Sequence, residues 1–586
     1  MSTRRRVPII RRARLILALT GATVATVILW PVLGGGYLLH ADAVSTPRSF
    51  VTDTALGLAD SAPRAVPQDW LVAVASGLVD GGWVVAGITW VAIALGAMGF
   101  GCLAARVLPA AGTPGAVAAA VLSMWNPLIA ERLLQGQWSL LAGYAALGWL
   151  GVISLDLRSG EARWSSWVSL AGWLAAAGLT PTGSVVGLIV VVALLVVPTT
   201  ADGRRGTGLT AVGIWVVSAM PWMLAAALGG APATSDPGAV SAFAIRAEPA
   251  LGAVGAALGL GGIWNAGSVP ASRTGAWAAV ATACLLLLVV AGSTVLWRRR
   301  RIPAVRACAV VAVVTLVVVV VAATPPGLSV LRWVIDTIPG AGLFRDTQKW
   351  LGLVLPLYAL AAAAGVQWLG RWVPRGAALV PALMLIVLPL PDLAWGVGGQ
   401  LRPVHYPADW ARVAATVPDD SGDVAVLPSG SNRRYAFTDR RVSLDPAPRL
   451  LRADVVATGE LSVDGRVVDA ATGRARRVVD ALRGGAPPAV LAREGVGWVL
   501  VETDQSPVTA PMRRTLAQAT PVLRSNDLAL YRLSGPADHR AGTAARTAMW
   551  VAHLVWLALL AAGVVGTCRR TPSPRRRSES AITDAA

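Results

Sequence analysis

Residues 298–324 read RRRRIPAVRACAVVAVVTLVVVVVAAT, an arginine block followed by a run that carries no charge after Arg306. As a helix rising 1.5 Å per residue, such a run is long enough to cross about 30 Å of hydrocarbon. The arginines mark its cytoplasmic end. Working outward, comparable runs lie at 15–39, 82–105, 114–130, 138–157, 165–179, 183–198, 209–229, 275–297, 350–370, 376–395 and 547–567. With 304–323 they predict an α-helical polytopic membrane protein of about twelve transmembrane helices. The fifth and sixth runs are short and broken at Thr180–Pro181–Thr182–Gly183. An even number of crossings puts both termini on one side. Arginines at the N-terminus, at Arg106, Arg158, Arg204, Arg298–Arg301, Arg371 and Arg569 then all fall inside, as basic residues flanking spans should.

Composition agrees. Of 586 residues 55% are hydrophobic and 14% charged, against roughly 25% charged in a soluble protein. The net charge of +19 is concentrated in blocks beside apolar runs, which excludes a nucleic-acid partner. No two of the four cysteines have metal-ligand spacing, and none lies in the large polar segment, so neither a disulfide framework nor a zinc site is indicated. Arg4–Arg6, the first apolar run and Ala41–Asp42–Ala43 have the order of a signal peptide. The run is far longer than an ordinary signal core of roughly 7–15 residues, so it reads as an uncleaved anchor.

The chain therefore divides into a transmembrane region, 1–399, with outer loops 40–81, 230–274 and 324–349; an extracytoplasmic mixed α/β domain, 400–546; a last span, 547–567; and a basic cytoplasmic tail, 568–586. In the outer domain Asp423–Leu427, Gly497–Glu502 and Leu528–Leu533 read as strands, and Thr472–Leu482 and Pro488–Glu494 as helices.

Ion-coupled transporters place carboxylates near the bilayer midplane. Here the predicted spans are almost free of ionisable groups: Asp156 and Asp392 lie near span ends, and His553 alone is well inside one. Carboxylates gather outside instead, as Asp42, Asp53, Asp60, Asp69 and Asp80 of the first loop, which points to chemistry at the outer surface. Asp42 follows the first span directly, where a fixed carboxylate can take a proton from a hydroxyl. Pro127 favours a bend, with Glu131 and Arg132 following where a span should emerge. Gln135, Gln137 and Trp138 then offer hydrogen bonds and an aromatic face suited to sugars; the plainer reading is a kinked helix end with an interfacial tryptophan and an exposed ion pair. Trp70, Trp264, Trp333 and Trp410 lie in outward segments and fit either sugar stacking or interfacial anchoring. His405 opens the outer domain. Arg345 and Lys349, four residues apart at the head of a span, share one face if helical. Asp346 offers Lys349 an ordinary salt bridge.

Four stretches, Pro63–Asp69 (PRAVPQD), Trp125–Arg132 (WNPLIAER), Gln135–Trp138 (QGQW) and Leu343–Trp350 (LFRDTQKW), together with the many spans and the C-terminal outer domain, resemble the C-type glycosyltransferase superfamily, actinobacterial members above all. The resemblance implies an inverting membrane enzyme that moves a sugar from a polyprenyl-phosphate donor to a cell-envelope glycan or glycolipid on the outer face, as in arabinan or mannan assembly. It implies Asp42, with Asp53 as second candidate, as catalytic acid residues; Arg345, Lys349 and Arg246 at the donor phosphate; and Glu131, Arg132, Gln137, Trp138 and His405 at the substrates. The family often shows two neighbouring acids in the first loop, whereas Asp42 has no acidic neighbour. Which acid is the base, and whether a divalent cation serves as cofactor, stay open at this point; no residue is assigned to a metal. The competing reading is a non-catalytic envelope-assembly or lipid-glycan transport protein on the same scaffold.

Overall fold

The computed structural model describes residues 3–568 apart from 61, 160–162, 197–203, 230–236, 457, 464–465, 470 and 506. The basic tail expected at 568–586 lies outside the described residues but for its first residue. Among the described residues nine helices are long and apolar enough to cross a membrane: Arg11–Gly34, Gly81–Val107, Pro109–Leu134, Trp138–Arg158, Gly206–Leu228, Trp277–Arg298, Pro303–Ala322, Thr347–Leu369 and Thr543–Thr567. Helices also stand at the remaining expected places. Trp164–Ala177 and Pro181–Val196, of 14 and 16 residues, rise only about 21 and 24 Å. The run expected at 376–395 is not one straight span: Arg375–Val387 and Pro391–Gly399 meet at 77°, broken at Pro391 and followed by left-handed backbone from Trp395 to Gly399.

Small residues set the helix spacing. A Cβ on Gly148 would sit 2.4 Å from the Phe100 amide nitrogen, so Trp138–Arg158 and Gly81–Val107 pack backbone to backbone. The Trp–Asn–Pro motif is a break inside Pro109–Leu134. Asn126, in extended conformation, caps the helix Pro127–Leu134 by accepting from Ile129 N–H at 3.2 Å. Its Nδ2 donates back to Leu122 O at 2.9 Å and Ser123 O at 3.0 Å, so the backbone groups freed by Pro127 are met within the protein.

The α/β domain of residues 400–546 is built on a four-stranded sheet. Val496–Glu502 is central, parallel to Asp423–Leu427 and antiparallel to Leu528–Arg532, which in turn pairs with Thr520–Arg524. Alternation along the strands serves two cores. Val424, Val426, Trp498, Leu500, Leu528 and Leu530 pack with Trp410 on one face. Ala425, Leu427, Val499, Val501 and Ala529 meet Val478 and Leu482 of the helix Gly473–Gly484 on the other.

This domain docks on the loop 40–81 through the loop's acids. Asp53 accepts from Ala541 N–H at 2.9 Å and pairs with Arg546 at 3.1 Å. Asp60 pairs with Arg474 at 2.9 Å, which also holds Asp423. Asp69 pairs with Arg449 at 3.1 Å. In return Asp454 accepts from the amides of Asp53 and Thr54. Asp80 caps the helix Gly81–Val107 through Gly82 N–H and accepts from the Tyr37 hydroxyl at 2.7 Å.

Candidate active site

The helix Pro127–Leu134 carries Glu131 and Arg132, both 0% exposed. They are not the exposed ion pair that the sequence allowed, nor are they paired with each other. Arg132 forks onto Asp346 at 2.8 and 3.2 Å, donates to Gln137 Oε1 at 2.9 Å and also bonds the Gln348 side-chain oxygen. Gln348 donates to Glu131 at 2.8 Å, and the amides of Gly262 and Ile263 donate to the same carboxylate at 3.1 and 3.2 Å. A second buried pair, Arg273 with Glu248, lies under the same 261–263 turn. Charge is thus buried within a spanning helix after all. It is tolerated because each group has an opposite charge or several hydrogen-bond donors against it. Burial pushes Asp346 up, but Arg132 and Lys349 outweigh it and hold the carboxyl below its usual range.

Asp42 joins this network. Leu39–His40 and Ala43–Val44 pair as a short hairpin with Asp42 in its turn, so the triplet that mimics a cleavage site is a folded element. Asp42 N–H donates to Gln135 O at 3.0 Å, and Asp42 Oδ2 accepts from Gln137 Nε2 at 3.1 Å. Gly136 makes the approach possible. At φ +76° a Cβ there would lie 2.1 Å from the Ala43 nitrogen and 2.7 Å from the Asp42 nitrogen, so only glycine fits both the conformation and the space. Of the five acids in the first loop, Asp53, Asp60, Asp69 and Asp80 are committed to docking and capping. Asp42 alone faces the motif network.

At the other end Lys349 lies 3.7 Å from Asp346 and within electrostatic reach of Asp42. Its carbonyl accepts from the Tyr144 hydroxyl at 2.6 Å. The shared helical face expected for Arg345 and Lys349 is not formed. Asp346 has ψ +86°, and a 3₁₀ helix, Thr347–Val354, starts after it, so the chain turns between the two residues. Arg345 instead lays its guanidinium over the Phe243 ring, 4.3 Å from the centroid.

The remaining candidates lie apart. Arg246 donates to Ile263 O at 3.3 Å and stands behind the 262–263 turn. Trp138 is 3% exposed within the helix core, which leaves no face for a sugar. His405 is exposed, edge-on to Tyr37 at 6.4 Å. Asp53, whose carboxyl burial raises above its usual range, serves the docking seam. Trp70 and Trp410 are buried, and Trp333 is exposed. Asp346 and Gln348, which the sequence did not single out as site residues, both stand in the LFRDTQKW stretch; their partners Arg132 and Glu131 lie 214 and 217 residues away, so no local signal marked them. Among the described residues no three His, Cys, Asp or Glu side chains group as metal ligands.

The architecture is a multi-pass helical membrane body carrying a small α/β domain before its last span. The cryo-EM structure of the arabinofuranosyltransferase AftD from Mycobacteria is similar to it, with a TM-score of 0.55, 16% identity, and coverage of 90% of this chain and 40% of that one. The chain thus spans less than half the length of that protein. No family model matches the chain, and no curated protein matches it in sequence.

Proposed function

We propose that the protein is an inverting membrane glycosyltransferase, taking a sugar from a polyprenyl-phosphate donor to a cell-envelope glycan or glycolipid on the outer face, with both termini inside. The observation that carries this reading is one connected path, Asp42–Gln137–Arg132–Asp346–Lys349, joining a half-exposed carboxylate to an ammonium at the outer end of the helices. Asp42 takes the proton of the acceptor hydroxyl as its oxygen attacks the anomeric carbon. The bond from that carbon to the phosphate oxygen breaks, and the polyprenyl phosphate leaves with the electron pair, its charge met by Lys349. Buried Arg132 is a positioning residue that holds the two ends in register. The similarity to an arabinofuranosyltransferase makes an arabinofuranosyl donor the first to test, and the same likeness supports an envelope arabinan as acceptor. Membranes containing the protein should transfer radiolabel from polyprenyl-phosphate arabinofuranose, and Asp42→Asn membranes should do so about 10²-fold or more slowly. Binding of the donor without transfer by the unaltered protein would favour the transport reading.

A further inference from the structure

The turn that carries Asp42 is held from two sides. From the membrane side Gln135 O takes the Asp42 amide at 3.0 Å. From the outer domain a strand reaches in: Ala41 N–H donates to Val442 O at 2.7 Å, and Leu444 N–H donates to Ala41 O at 2.9 Å. These two bonds make a parallel bridge between Ala41 and Ser443. Ala41 sits at φ +47°, a left-handed conformation that a non-glycine residue leaves unless its surroundings hold it there.

The strand is itself anchored. Ser443–Leu444 pairs with Asn432–Arg433. Arg433, 2% exposed, binds Asp445 at 3.0 Å and also Glu502 at the end of the central strand. Tyr435 donates to the other Glu502 oxygen at 2.7 Å. A continuous set of bonds therefore runs from the middle of the outer sheet to the residue before Asp42.

We infer that the outer-domain strand Ser443–Leu444 is a positioning element for Asp42, so that proton abstraction requires the outer domain to be docked. The inference rests on the proposed role of Asp42 as base. It makes the outer domain part of the catalytic geometry, and it makes Leu444 the residue whose backbone donor matters. A domain serving only to collect the acceptor would, when loosened, change the acceptor KM. A domain that fixes the base changes kcat.

The test uses the full-length protein in membranes, with polyprenyl-phosphate arabinofuranose and an octyl oligoarabinoside as acceptor. Leu444→Pro removes the N–H that bonds Ala41. It should lower kcat about tenfold or more, leave the donor KM within about twofold, and cause no further loss when added to Asp42→Asn, because the two changes act through one carboxylate. Equal losses in both backgrounds would overturn the inference. Wild-type turnover in Asp42→Asn would instead remove the base assignment, which is a separate failure. Because Leu444→Pro disturbs a strand, a second arm keeps the backbone intact. Ala41→Cys/Ser443→Cys places two thiols on bridge partners close enough for a disulfide. Within this one variant the oxidised form should turn over at least as fast as the reduced form. Slower turnover on oxidation, reversed by reductant, would mean that the seam must open during the cycle and would overturn the proposal.

Discussion

Gln137 donates to Asp42 Oδ2 at 3.1 Å while its own oxygen accepts from Arg132 at 2.9 Å. The amide cannot turn over without losing both bonds, so it fixes the carboxylate on one side and the guanidinium on the other. If Asp42 is the base, Asp42→Asn should lower transfer by about 10²-fold or more, the range for loss of a general base, with donor binding retained. Gln137→Ala should cost less, since the carboxylate remains but its aim is lost. Single-turnover rates with prebound donor separate the two. An undiminished rate in Asp42→Asn removes the residue from the mechanism.

Gly136→Ala tests the close approach of the hairpin to the motif. The added carbon would overlap the Asp42 and Ala43 amides, and overpacking of this kind costs about 1–3 kcal/mol. The expected result is a rate loss comparable with Asp42→Asn and a lowered melting temperature. A variant that folds and transfers normally would show that the hairpin has room to move.

Arg132 and Asp346 form a buried pair. Arg132→Ala leaves the buried Asp346 carboxylate without its guanidinium, and removing one partner of such a pair costs about 3–5 kcal/mol. Arg132→Met combined with Asp346→Leu should be more stable than either single change and still inactive. Thermal unfolding in detergent and transfer assays on the same samples check both halves; an active double variant would remove the network from the mechanism.

Lys349 and Arg345 no longer stand as equals. Lys349→Ala should raise the donor KM more than Arg345→Ala, because Lys349 is wired through Asp346 to Arg132 whereas Arg345 rests on Phe243. Initial rates at limiting donor decide. Wild-type rates for Lys349→Ala would return the lysine to a salt-bridge role, worth roughly 0–1 kcal/mol.

His40, beside the Asp42 turn, gives a pH signature. Burial, and then the charge of Arg441, lowers its pKa from 6.5 to about 4. The folded protein keeps the ring neutral where the unfolded chain would protonate it, so the associated stability is complete above pH 6.5 and is lost as pH falls toward 4. By pH 5 the loss should reach about 2 kcal/mol. Melting temperatures measured between pH 7 and pH 5 should fall, and His40→Gln should flatten the slope. An equal slope in the variant would assign the acid sensitivity elsewhere.

Local patterns carried the sequence reading far. The helix positions followed from apolar runs and arginine blocks. Three of the four strands of the main sheet followed from short buried runs, while Thr520–Arg524 escaped because it is an exposed edge strand containing Pro521. The motif stretches were visible as odd polar residues at span ends. Their partnerships were not, because Arg132 and Asp346 lie 214 residues apart and Asp42 and Gln137 lie 95 apart. Nothing local distinguishes an acid that docks a domain, such as Asp53 or Asp60, from one that faces a site. That distinction appears only when arginines from the far end of the chain arrive to neutralise the first group. Left-handed backbone at Trp395 and Val397 was equally illegible, since neither residue type favours it.

All 51 basic side chains except Lys349 are guanidinium groups. The protein therefore carries one ε-amine, and it stands at the end of the path that begins at Asp42. An amine-directed reagent, which otherwise meets only a chain's α-amino group, becomes a probe of this one side chain in the unaltered protein. Protection of that single ε-amine by a bound phosphate, read as the loss of one mass increment in one peptide, would report occupancy of the site without a mutation or turnover.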